Sequence, residues 1–86
     1  MGVQINNAII KGETAITPAD DTEVVAPYND GFYVGGAGNV TFSYISYPTV
    51  KHTKTFSAGD TWFGEIYSID STSTTATSIT GLRLDK

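Results

Sequence analysis

The chain has 86 residues and 9.2 kDa, with five Lys and Arg against nine Asp and Glu and no cysteine. That length allows one domain with a small core, and the absent cysteines remove disulfides, thiolate metal sites and cysteine nucleophiles together. A net charge of -4, with Lys11, Lys51, Lys54, Arg83 and Lys86 scattered among carboxylates, excludes the basic face that nucleic acid requires.

The N-terminal stretch MGVQINNAII lacks the basic start and cleavage site of a secretory signal, and no apolar run nears the ~20 residues of a membrane span. The expectation is a protein made in a cytoplasm, without membrane or nucleic-acid partners. Asn6 occupies the Ser or Thr position of a myristoylation motif, which removes that reading of Met1-Gly2. Residues 1–14 are expected to be an arm or a first strand, with Gln4 to Ile10 as the candidate, ahead of an all-β domain over residues 15–86.

Val, Ile, Thr, Tyr and Phe dominate while strong helix formers are scarce, which favours strands. Turn signals fall at Thr17 to Asp21, Pro27 to Gly31, Gly35 to Asn39, Tyr47 to Thr49 and Ser57 to Asp60. Between them, short strands are predicted at Glu23 to Val25, Phe32 to Val34 and His52 to Phe56. Period-two alternation is clearest at Val40, Phe42, Tyr44 and Ser46. Thr61 to Ile69 reads as one strand apolar on both faces, and Ser71 to Ser78 as a hairpin loop before a last strand. In that last strand Leu82 and Leu84 are out of phase with Ile79, which predicts a bulge near Gly81. Strands of this length with turns this frequent predict a small antiparallel β-sandwich or barrel in a single domain.

Chemistry is sparse. The segment FYVGGAGNVTF has three glycines within four residues, but Thr41 stands where a dinucleotide fingerprint needs its third glycine, and a strand follows rather than a helix. No Gly-Lys-Ser/Thr follows either, so Gly35, Gly36 and Gly38 read as a hairpin turn using positive φ. The single histidine, His52, lies between lysines and reads as an exposed strand residue. Zinc lacks a ligand set. Asp20, Asp21, Glu23 and Asp30 lack the spacing of a calcium loop, and the first two read as turn formers. Asn39-Val40-Thr41 has the form of a glycosylation acceptor without a secretory route. No catalytic residue, cofactor or metal is expected. Surplus aromatics suggest interface anchors, and a core this small favours oligomerisation; the candidate interface residues are Ile5, Ile9, Ile10, Tyr28, Tyr47 and Trp62.

The order AITPADDTEV, GFYVGGAGNV, KTFSAGDTWFGEIYSI and STTATSITGLRL resembles the small spike base proteins of tailed phages and of the Rhodobacter gene transfer agent. The likeness rests on Tyr33 to Gly38, on the turn at Ala58 and Gly59, and on Thr74 to Thr77. Two segments depart from the family pattern: Asp60 to Glu65, where the family has a threonine and a proline-containing strand, and SYPTVKHT, where it has a glycine-rich turn. The resemblance implies a structural virion protein outside the capsid, a head spike base or decoration subunit supporting a fibre. Its implied partners are further copies of itself as a trimer or pentamer, the major capsid protein and a spike or fibre protein. The alternatives are a cement protein at threefold positions and a carbohydrate-binding module stacking sugars on Tyr28, Tyr47 or Trp62.

Overall fold

A computed structural model describes residues 9–85, and among them there is no helix. Seven strands form: β1 (Ile9–Ala15), β2 (Gly31–Gly36), β3 (Gly38–Tyr44), β4 (Tyr47–Phe56), β5 (Thr61–Phe63), β6 (Ile66–Asp70) and β7 (Thr77–Asp85). They make a four-stranded sheet in the order β1-β7-β2-β5 and a three-stranded sheet in the order β4-β3-β6. Every pairing is antiparallel; of the expected sandwich or barrel, the fold is the all-β form with two separate sheets. β1 pairs along β7 from Ile9↔Asp85 to Ala15↔Thr80 and is an edge strand of the larger sheet. The earlier part of the expected Gln4 to Ile10 strand, with Ile5, lies outside the described residues.

Alternation carries one face of each sheet inward. Phe32, Val34, Val40 and Phe42 are fully buried, and Ile66, Ile69, Ile79, Phe56 and Val24 complete the core. Phe32 meets Phe42 and Phe56 edge-on at centroid distances of 5.5 and 5.4 Å, the arrangement that ring quadrupoles favour.

Several boundaries differ from the sequence reading. Thr61 to Ile69 is two strands in different sheets, because the chain changes sheet at Gly64-Glu65. Within β6 the register against β3 slips between Ser43↔Ser68 and Tyr44↔Ile66. Tyr67 is the extra residue of this bulge, and it lets Ile66 and Ile69 both face the core. The bulge expected at Gly81 is absent: β7 pairs regularly with β2 there, through Phe32↔Gly81 and Tyr33↔Thr80. Leu82 is out of phase with Ile79 because it faces outward, and it is only 2% exposed because Ile10, Glu13, Tyr33 and Thr61 wall it in. The slip in this sheet lies on β1, where Lys11 is extra between Ile10↔Leu84 and Gly12↔Arg83.

Tyr47 to Thr49 is strand rather than turn; the β3–β4 hairpin closes over Ile45-Ser46, and Pro48 is tolerated because β4 is an edge strand. Glu23 to Val25 contributes one isolated bridge, Glu23↔Ser68. With Ala19 N–H donating to Ile69 O and Val24 N–H to Tyr67 O, this segment covers the outer edge of β6. The Ser and Thr segment after β6 is not a hairpin loop, since β6 and β7 belong to different sheets.

Candidate functional site

The chain crosses between the sheets at Gly35 to Gly38, and the turn at Ala58-Gly59 and the segment Thr74 to Thr77 gather around that corner. β2 lies in one sheet and β3 in the other, so the glycines make a sheet-switching corner, not the expected hairpin. Gly38 alone of the three takes a positive φ, +151°, and a Cβ there would lie 2.6 Å from the backbone nitrogen of Ala76. Gly35 and Gly36 are needed for closeness: a Cβ on Gly35 would stand 2.8 Å from the Ser78 Cβ, and one on Gly36 would overlap the Thr77 hydroxyl.

The Ser and Thr segment wraps the start of β3. Thr75 and Ala76 donate their backbone N–H groups to Asn39 O at 2.9 and 3.0 Å. In return the Asn39 N–H donates to Thr75 Oγ1 and the Thr41 N–H to Thr74 Oγ1, both at 2.9 Å. The turn at Ala58-Gly59 closes on the other side, where Gly59 N–H donates to Val34 O at 2.7 Å and Val34 N–H to Asp60 O at 2.9 Å. Asp60 holds that turn by accepting from the Ser57 N–H at 2.7 Å.

The first motif is tied through Asp20 to Ser71 and Thr72, which precede the Thr74 to Thr77 segment. The Asp20 carboxylate accepts from the Thr72 hydroxyl at 2.6 Å, the Thr72 N–H at 2.9 Å and the Ser71 hydroxyl at 3.2 Å. Those bonds, Thr72's first and then Ser71's, hold Asp20 below the ordinary carboxylate value. Asp20 and Asp21 form a turn as expected, Asp21 at φ +53°.

A polar cluster that sequence reasoning missed lies on the outer face of the smaller sheet. Lys51 reaches over β3 to bridge Asp21 at 2.7 Å and the buried Asp70 at 2.9 Å. Behind it the Ser43 and Ser68 hydroxyls bond at 2.8 Å, and Ser68 donates to Asp70 at 2.8 Å. The Asp21 and then the Asp70 carboxylate raise Lys51 above its usual value, so it is an ammonium ion rather than a base. The available sequence signal was Ser43 and Ser68 at outward positions of otherwise apolar strands.

The remaining candidates are dispersed. Ile10 is 49% and Tyr47 69% exposed, on opposite sheets. Ile9 opens β1, and Tyr28 packs beside Gly12. Trp62, half-buried, fills the flank between β5 and β4: it lies 6.0 Å from Phe42 and 6.1 Å from Phe56, donates to Tyr44 Oη at 3.0 Å, and carries Lys54 Nζ 5.4 Å from its ring centroid. His52 is not simply exposed; its ring packs 5.2 Å from Tyr44 and 5.7 Å from Phe42. Asp20, Asp21, Glu23 and Asp30 do not converge: Asp30 accepts from the Leu84 N–H at 2.9 Å, while Asp20 and Asp21 hold Thr72 and Lys51. No group of three or more His, Asp or Glu side chains among the described residues is arranged to hold a metal ion.

No protein-family model, curated protein or solved structure matches this chain.

Proposed function

We propose that the chain is a structural protein of a tailed phage or gene transfer agent particle. In this reading it attaches to the outside of the capsid as a head spike base or decoration subunit that supports a fibre, and acts by binding. The observation that carries the reading is the meeting of three of the four motif segments at one corner, those with Tyr33 to Gly38, Ala58-Gly59 and Thr74 to Thr77. Segments separated by 36 residues, Asn39 and Thr75, exchange backbone and side-chain hydrogen bonds there. Gly35, Gly36, Gly38 and Gly59 each answer a steric or turn requirement there.

The corner residues are occupied in holding the fold, which leaves recognition to the exposed sheet faces and edges. The partners are further copies of the chain, the major capsid protein and a spike or fibre protein. A cement subunit at threefold positions differs only in where it binds. The test is cryo-electron microscopy of particles made with and without this chain. Density outside the shell that disappears with the chain is the expected outcome; particles that never contain it overturn the proposal.

A further inference from the structure

A cleft of about 250 Å³ opens between the end of β1 and the segment covering β6, with Thr14, Ile16, Val24, Val25 and Tyr28 on its walls and Ile69 at its floor. It is smaller than the ~300–1,000 Å³ usual for small-molecule sites, and its size suits one large side chain. The opposite edge of the smaller sheet carries the β3–β4 hairpin. Its residues from Tyr44 to Val50 have no charged side chain, and Ile45, Tyr47 and Val50 are 43, 69 and 49% exposed.

The two features cannot meet within one molecule. The hairpin belongs to the β4 side of the order β4-β3-β6, whereas the cleft lies beyond β6. The charges flanking them are complementary: Lys51 and Lys54 follow the hairpin, and Asp20, Asp21 and Glu23 border the cleft. The Lys51–Asp21 bridge and the Asp20–Thr72 bonds are already made within the chain, which leaves for contact between copies the exposed Glu23 and the exposed Lys54, the latter with its ammonium over the Trp62 ring. A knob and a hole on opposite edges are what a head-to-tail contact requires, and such contacts close into rings when the rotation allows.

We infer that the occupant of the cleft is the β3–β4 hairpin of a second copy, anchored by Tyr47, and that the repeated contact builds a ring. The inference rests on the oligomeric subunit proposed above and names its contact surface. Its test uses light scattering on the full chain and on two variants, Tyr47→Asp in the hairpin and Val25→Asp in the cleft. Both positions are over two-thirds exposed, and circular dichroism verifies folding; Ile45→Asp and Thr17→Glu are the reserve pair.

The wild type is expected to exceed two copies, and each variant to weaken association at least ~30-fold, the loss typical of an interface hot spot. An equimolar mixture of the two variants should recover a species of two chains and no more, because one intact hairpin and one intact cleft remain. A monomeric wild type, a wild type that stops at two copies, variants that associate normally, or a mixture without the two-chain species overturns the inference. If the chain is monomeric in solution yet present on particles, the contact falls while the virion assignment stands.

Discussion

Lys51 is the residue whose removal should reveal most about local electrostatics. Asp70 is 5% exposed, and taking away its cation leaves a carboxylate facing only Ser68 and the Asp21 backbone. A fully buried broken pair costs ~3–5 kcal/mol and an exposed one ~0–1; with the Lys51 side chain 29% exposed, Lys51→Met should cost about 2 kcal/mol in urea denaturation. Because folding raises the Lys51 value, its contribution is complete below about pH 10.5 and declines as pH rises through the folded value. The quantity to follow is the wild-type minus Lys51→Met difference, which should shrink at alkaline pH. Asp20 has the opposite sign. Its value is lowered on folding, so its stabilisation is present above about pH 3.8 and disappears as pH falls through the folded value. The melting-temperature gap between wild type and Asp20→Ala should be open at pH 6 and close in acid; a gap independent of pH would rule out the carboxylate as the cause.

At the scale of elements, the corner glycines separate two reasons for glycine. Gly59 has φ +94° with nothing near its Cβ position, whereas Gly38 combines φ +151° with backbone atoms 2.6 Å away. Gly59→Ala should therefore cost only backbone strain, about 1–2 kcal/mol, and Gly38→Ala at least about 3 kcal/mol, because the 74–77 segment must also retreat. Equal costs by chemical denaturation would show that close approach at the corner contributes nothing. These glycines also mark how far the sequence could be read. Their cluster announced a change of direction, and alternation placed Val40 and Phe42 on one buried face. A corner between sheets and a hairpin within one have the same local signature, so the pairing of β2 with β7 could not be read from the glycines. Tyr67 shows the same limit: one bulged residue reverses the phase, and nothing in its identity announces the bulge. The Lys51 cluster was hidden because Asp21, Lys51 and Asp70 come from three distant segments.

For the whole molecule, stability is expected at about 4–13 kcal/mol, the usual ~0.05–0.15 per residue, so single large side chains matter. Trp62→Ala should cost about 3–5 kcal/mol, since it empties the flank between β4 and β5; a loss below 1 kcal/mol would mean that the indole is not part of the core. Fold class was legible because composition and turn spacing report it directly, while which strands lie at the sheet edges became visible only once strand order was known. That order also bears on synthesis. β7 is the last of the seven strands to leave the ribosome, yet it lies between β1 and β2 and is the strand to which both pair. β1 therefore waits through the making of every other strand before its partner exists, and the larger sheet can close only after translation has passed Thr77. A nascent chain can pair β3, β4 and β6 early, but any surface that spans both sheets is absent until β7 has been made.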